Sequence, residues 1–141
     1  MRLQRTVTAT EAEVESYARL TRDFNPVHLS DEYVAKDKTF VDTNIVHGAL
    51  ITGWFSSLLY SLGDSHDING EVILRQMNTD FHHPLPVGQS ATIELVLPYE
   101  SMPDDGVETV TAILQCNADD GSLYASGTAT VTIDQGVDPS V

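Results

Sequence analysis

The chain has 141 residues, with 7 lysines and arginines against 21 aspartates and glutamates, a formal net charge of −14. That balance excludes nucleic acid as a natural partner, because phosphate binding needs a basic face, and it opposes docking on an anionic membrane. One domain over residues 1–141 is expected, with a loose tail from about residue 135, and 41% hydrophobic content is ample for a single core.

Cys116 is the one cysteine, so no internal disulfide can form and a reducing compartment is the simplest expectation. The first ten residues show no apolar export core, and the most apolar stretch, 48–62, carries Thr52, Ser56, Ser57 and Ser61. A soluble, cytoplasmic protein is expected. Acids are spread over nearly every segment, while Lys36 and Lys38 are the only lysines. A whole-surface charge of this kind suits very high salt, where the Debye length falls to about 3 Å, so a halophilic source is expected.

In chain order, residues 2–8 alternate weakly and read as an edge strand. Thr10 with Glu13 forms a capping-box pattern, opening a helix that places Val14, Tyr17 and Ala18 on one face. Pro26 should end that helix near Asp23 and stiffen the loop that follows. Ser30 or Asp31 caps a second short helix to about Lys36, and residues 37–46 look irregular. Residues 48–62 are apolar almost all round, which predicts a helix buried on every side, stopped by Gly63. From Glu71 the period changes to two. Strands are expected at 71–81, 90–98, 107–117 and 122–133, joined by turns at 83–88, 102–106 and 118–121 as an antiparallel meander. One buried helix wrapped by one curved antiparallel sheet gives an α+β fold.

Chemistry concentrates between residues 20 and 35. Asp23 and His28 stand five positions apart around Pro26, and a stiff loop can hold a carboxylate and an imidazole as an acid/base pair. Asn25 can hold the loop or a water. His47-Gly48 opens the long helix, whose first-turn N–H groups and positive dipole end can stabilise an oxyanion on a thioester carbonyl. His47 itself reads as a core histidine donating to backbone. Asp23, His28 and His47 are of metal-ligand types, but their spacing is no zinc signature, so no metal is expected. His82 and His83 read as surface polar residues, His66 as a solvated turn residue, and Cys116 as a small buried hydrophobe.

The run DFNPVH, then Ala35, Phe40 and IVHGALI, resembles the signature of the (R)-specific enoyl-CoA hydratases, the MaoC-like hydratase 2 family. The likeness runs from about residue 20 to 90 and includes DFHHPLPVGQSATIEL. It implies the hot-dog fold, usually a homodimer, and reversible syn addition of water to a trans-2-enoyl thioester. No cofactor is implied beyond the coenzyme A thioester substrate. By position, Asp23 and His28 match the catalytic pair, Asn25 the motif asparagine, Gly48 the glycine whose N–H binds the thioester oxygen, and Ser56 a serine near the aspartate. Many members carry glycine before the aspartate, where this chain has Arg22, and methionine after the His-Gly pair, where it has Ala49. Trp54, Phe55 and Leu59 read mainly as core, with one or two lining an acyl tunnel that Trp54 would shorten to roughly C4 to C6 chains. Arg22, Lys36, Lys38 and Arg75 are the candidates for meeting coenzyme A phosphates. The rival readings are a 3-hydroxyacyl-carrier-protein dehydratase, which an acidic surface disfavours, a thioesterase, and a non-catalytic thioester-binding module.

Overall fold

Strand β1 (Arg2–Thr8) leads directly into helix α1 (Glu11–Thr21). The computed structural model describes residues 1–36, 41–65, 70–98 and 106–134. Lys38, Phe40, His66, most of the 102–106 turn and the tail from residue 135 lie outside them. The capping box forms as the sequence predicts. Glu13 N–H donates to Thr10 Oγ1 at 3.2 Å, and Thr10 N–H donates to the Glu13 carboxylate at 3.1 Å. Val14 and Ala18 are the buried face of α1.

Helix α1 ends on Arg22 in the left-handed conformation, φ 64° and ψ 21°. The next segment is not the plain kinked loop expected from Pro26. It forms a four-residue helix, α2 (Pro26–Leu29), followed by α3 (Asp31–Val34). The same proline explains both events. Its ring disfavours helical backbone at Asn25, while its fixed φ and missing N–H suit a first helical position. Asn25 caps α2 by accepting from Val27 N–H at 3.2 Å, and Ser30 caps α3 by accepting from Tyr33 N–H at 3.1 Å.

Helix α4 (Gly48–Gly63) lies against a five-stranded antiparallel sheet of order β1-β3-β4-β5-β2, with β2 at Glu71–Phe81, β3 at Ser90–Val96, β4 at Val107–Asn117 and β5 at Leu123–Asp134. This is the α+β hot-dog arrangement. Period-two burial builds the inner sheet face, for example Val110, Ala112, Leu114 and Cys116 on β4. Ile51, Phe55, Leu58, Leu59 and Leu62 of α4 close the core over it. Full burial of a side chain such as Phe55 contributes about 1.5–3 kcal/mol. Cys116 is buried, and burial pushes its thiol up to about 11, as suits an inert core residue. No helix among the described residues is long and apolar enough to cross a membrane.

Two expectations need correction. The sheet is not one consecutive meander. Only β3, β4 and β5 follow in order; β2 pairs with β5, so residues 82–89 cross between the two ends of the sheet. Alternation marks a strand but carries no record of which neighbour it pairs with. Nor is α4 buried on every side, because Ala49, Gly53, Ser56 and Tyr60 are exposed along one face. Three of these are too small to gain much from burial, so the apolar count overstates the helix's need for cover.

Candidate active site

Two consecutive side-chain turns fix the start of the site. Asn25 N–H donates to Asp23 Oδ1 at 3.3 Å, and Asn25 then spends its own amide oxygen on the α2 cap. Asn25 is thereby committed to local structure. Asp23 is exposed, with one carboxylate oxygen oriented by this turn.

Helix α2 carries His28 toward the segment that precedes α4. Its Nδ1–H donates to the Ile45 carbonyl at 2.7 Å. That bond places the ring hydrogen on Nδ1 and leaves the Nε2 lone pair as an acceptor. Ile45 N–H donates to the Val27 carbonyl at 3.2 Å, and Asn44 Nδ2 donates to Val27 and Ser30 carbonyls, so α2 and α3 are tied to the same segment. Burial holds the His28 imidazole below its ordinary range. The Ile45 hydrogen bond opposes that, His47 reinforces it, and Asp23 opposes it. The ring is therefore neutral at neutral pH and fit to act as a base.

His47, the cap residue of α4, is 1% exposed. It stacks on His28 with ring centroids 3.8 Å apart and planes at 27°, while Tyr17 of α1 meets it at 4.8 Å and 57°. Its Nε2–H donates to the backbone carbonyl of Asp23 at 3.1 Å, as expected for a core histidine, and its buried Nδ1 meets no partner among the described residues.

One donor atom from each of Asp23, His28 and His47 lies within 4.8 Å of the others. One nitrogen of each ring is engaged with a backbone carbonyl, which suits a metal-ligating histidine as well as a hydrogen-bonded one; the rings stack with planes at 27°, so their in-plane lone pairs run along neighbouring planes and not onto one point.

Gly48 and His28 share a cavity of about 530 Å³ walled by Ile45, Ile51, Phe81 and Leu85. The Gly48 N–H sits in the first turn of α4, where no intrahelical acceptor exists. A Cβ there would stand 2.9 Å from Cε1 of the exposed Phe81 ring, which would have to shift to admit it. His82 and His83, expected as surface residues, are exposed and also border this cavity. His83 Nδ1–H donates to the Leu123 carbonyl at 3.0 Å, and His82 Nε2 bonds Ser126 Oγ at 2.7 Å. A second cavity of about 460 Å³, also bordered by His28, is lined by Phe24, Leu29 and Arg19, with Glu11, Glu15 and Asp31.

The structure thus brings Asp23, His28 and His47 together and sets His28 beside Gly48. Asp23 stands outside the lining of both cavities. Ser56 is exposed and lines a separate depression with Tyr17, Thr52 and Leu74. Trp54, Phe55 and Leu59 do not wall the His28–Gly48 cavity. Phe55 and Leu59 are core, Trp54 packs against that core, and Ile51 and Phe81 take the expected wall position. Arg22, Lys36 and Arg75 are exposed and line neither cavity. Sequence reasoning missed the Ile45 carbonyl and Tyr17, whose roles arise only from tertiary approach and leave no local signal.

Fold and site together define one class of protein. Residues 1–114 match the MaoC like domain family, and the chain belongs to that family. It is similar to the (R)-specific enoyl-CoA hydratase of Aeromonas caviae, with 33% identity over 122 residues, 86% of this chain and 84% of that protein. The solved (R)-hydratase from A. caviae, described as involved in PHA biosynthesis, aligns with TM-score 0.76 and 29% identity, covering 93% of this chain and 92% of the other. An unliganded R-hydratase of Pseudomonas aeruginosa, at 23% identity and TM-score 0.69 over 95% and 80% of the two chains, shares the fold.

Proposed function

We propose that this chain hydrates trans-2-enoyl-CoA reversibly to (R)-3-hydroxyacyl-CoA. The observation that carries the reading is the neutral His28 imidazole, its Nε2 lone pair left free, beside the Asp23 carboxylate and on the same apolar cavity as the first turn of α4. The identity to the A. caviae hydratase supports it.

In this mechanism a water is held between the Asp23 carboxylate and His28 Nε2. Its oxygen bonds to C3 of the enoyl chain as Nε2 accepts its proton. The C2–C3 π electrons shift toward the thioester carbonyl, and the Gly48 N–H meets the enolate-like oxygen. The enolate then collapses and C2 takes the proton from the pair on the same face, giving syn addition with atoms balanced. An oxyanion donor of this kind contributes about 3 kcal/mol to lowering the barrier, and an acid/base group about 10²- to 10⁴-fold in rate. The active unit we propose is a homodimer. Among the described residues β2, 11 residues long, is an edge strand open on the side away from β5, Ile73 and Leu74 are 49% and 40% exposed, and the open face of α4 lies beside it.

Crotonyl-CoA tests the reading in high salt. Enoyl absorbance should fall and the product should be the (R) alcohol. Asp23→Asn should keep the fold and lose at least about 10²-fold in kcat. An (S) product, or near-normal turnover in Asp23→Asn, would overturn it.

A further inference from the structure

We infer that His47 is a positioning residue that holds both halves of the Asp23–His28 pair through two separable contacts, a hydrogen bond to the Asp23 backbone and a ring stack on His28. The inference rests on the function proposed above and deepens it. Nothing in the resemblance gives this histidine a role, and its place at the cap of α4 does not explain it, because its side chain makes no capping bond.

The geometry is specific. The Nε2–H to Asp23 carbonyl bond spans 24 positions and fixes the main chain immediately behind the carboxylate. Arg22, just before it, is in a left-handed conformation, so this is where the backbone most needs an external anchor. The other contact is the face-to-face stack at 3.8 Å, which removes solvent from one side of His28. Tyr17 also meets the His47 ring, with centroids 4.8 Å apart and planes at 57°. Among the described residues its buried Nδ1 meets no hydrogen-bond partner, a cost a residue kept for packing alone would not carry. A leucine or phenylalanine would fill the space without it.

The charged and titratable groups around His28 set what the stack can do. Asp23 precedes it; His47 covers one face. Glu11, Glu15 and Arg19 of α1 and Asp31 of α3 line one of the two cavities that His28 borders, and His82 and His83 line the other. Burial favours the neutral ring and His47 beside it adds to that, while Asp23 favours the charged one. Removing the ring that covers His28 should therefore let it hold its proton to higher pH.

Two variants separate the contacts. His47→Phe keeps a ring on His28 and removes the bond to Asp23. His47→Gln keeps an amide donor for the Asp23 carbonyl and removes the ring. Measured by NMR titration of the histidine ring signals, the His28 midpoint should rise toward its ordinary 6.5 in His47→Gln, and less in His47→Phe. On crotonyl-CoA, His47→Phe should lose roughly 10- to 100-fold in kcat with KM little changed, since a displacement near 1 Å at a reacting group costs about that much. A His28 midpoint in folded His47→Gln equal to wild type, or a His47→Phe kcat within about twofold of wild type, would overturn the inference. Wild-type protein inert toward crotonyl-CoA would sink the hydratase reading instead, because the titration judges the stack without any turnover.

Discussion

Arg22 shows how one backbone angle serves the site. To leave α1 and present Asp23 beside His28, the chain turns through the left-handed region at φ 64°. Arg22 is the only described non-glycine residue there; Gly88, Gly106 and Gly121 are the others with positive φ. An L side chain in that region crowds its own carbonyl and costs about 1 kcal/mol, which glycine avoids. This gives a physical reason for the glycine that many family members carry before the aspartate. Arg22→Gly should therefore stabilise the protein by about 1 kcal/mol, a Tm rise of roughly 3 °C by thermal unfolding. An unchanged or lower Tm would mean that the exposed arginine supplies a compensating contact.

At the scale of elements, the tightest approach lies between β2 and β5. A Cβ on Gly127 would stand 1.9 Å from the Asn78 carbonyl oxygen and 2.9 Å from its carbon. Both are backbone atoms, so no side chain can yield, and the ladder pairing Thr79 with Gly127 must open. Gly127→Ala should cost about 3 kcal/mol or more by denaturant unfolding, and a loss below about 0.5 kcal/mol would refute the close approach. Sequence pattern made the strands legible, because Val110, Ala112, Leu114 and Cys116 alternate with Thr109, Thr111, Gln115 and Asn117, a pattern that the exposed Ile113 interrupts once. Pairing order was illegible: the crossover that sends β2 to the far edge depends on where α4 lies. Helix α2 was missed because four residues are too few for a periodicity and Pro26 looked only like a stop. That Asp23 and His28 meet, and that Gly48 opens the long helix, was legible because an Asn-Pro turn and a helix start leave local signals. Ile51 and Phe81 were not legible as the cavity wall, since any apolar side chain can build a wall and only the tertiary fold says which does.

For the whole molecule, charge and assembly are one problem. Among the described residues every Asp and Glu but one is exposed. The exception, Glu94, is 7% exposed and paired with Arg2 at 3.0 Å, with Gln4 also donating to it. The remaining acids face water over the surface, so two copies approaching through β2 and α4 repel one another. At about 0.1 M salt the Debye length is about 10 Å and that repulsion spans an interface; at about 1 M it falls to about 3 Å and is confined to adjacent groups. Burial of Ile73, Leu74 and the open face of α4 can then dominate, because apolar transfer does not weaken with salt. Light scattering in molar KCl should therefore give the mass of a dimer, with full crotonyl-CoA hydration. Dilution to about 0.1 M should lower both together. Dimer mass and undiminished activity in dilute buffer would show that the acidic surface is not an adaptation to salt. A monomer active at every salt concentration would remove the β2 edge from the account of assembly.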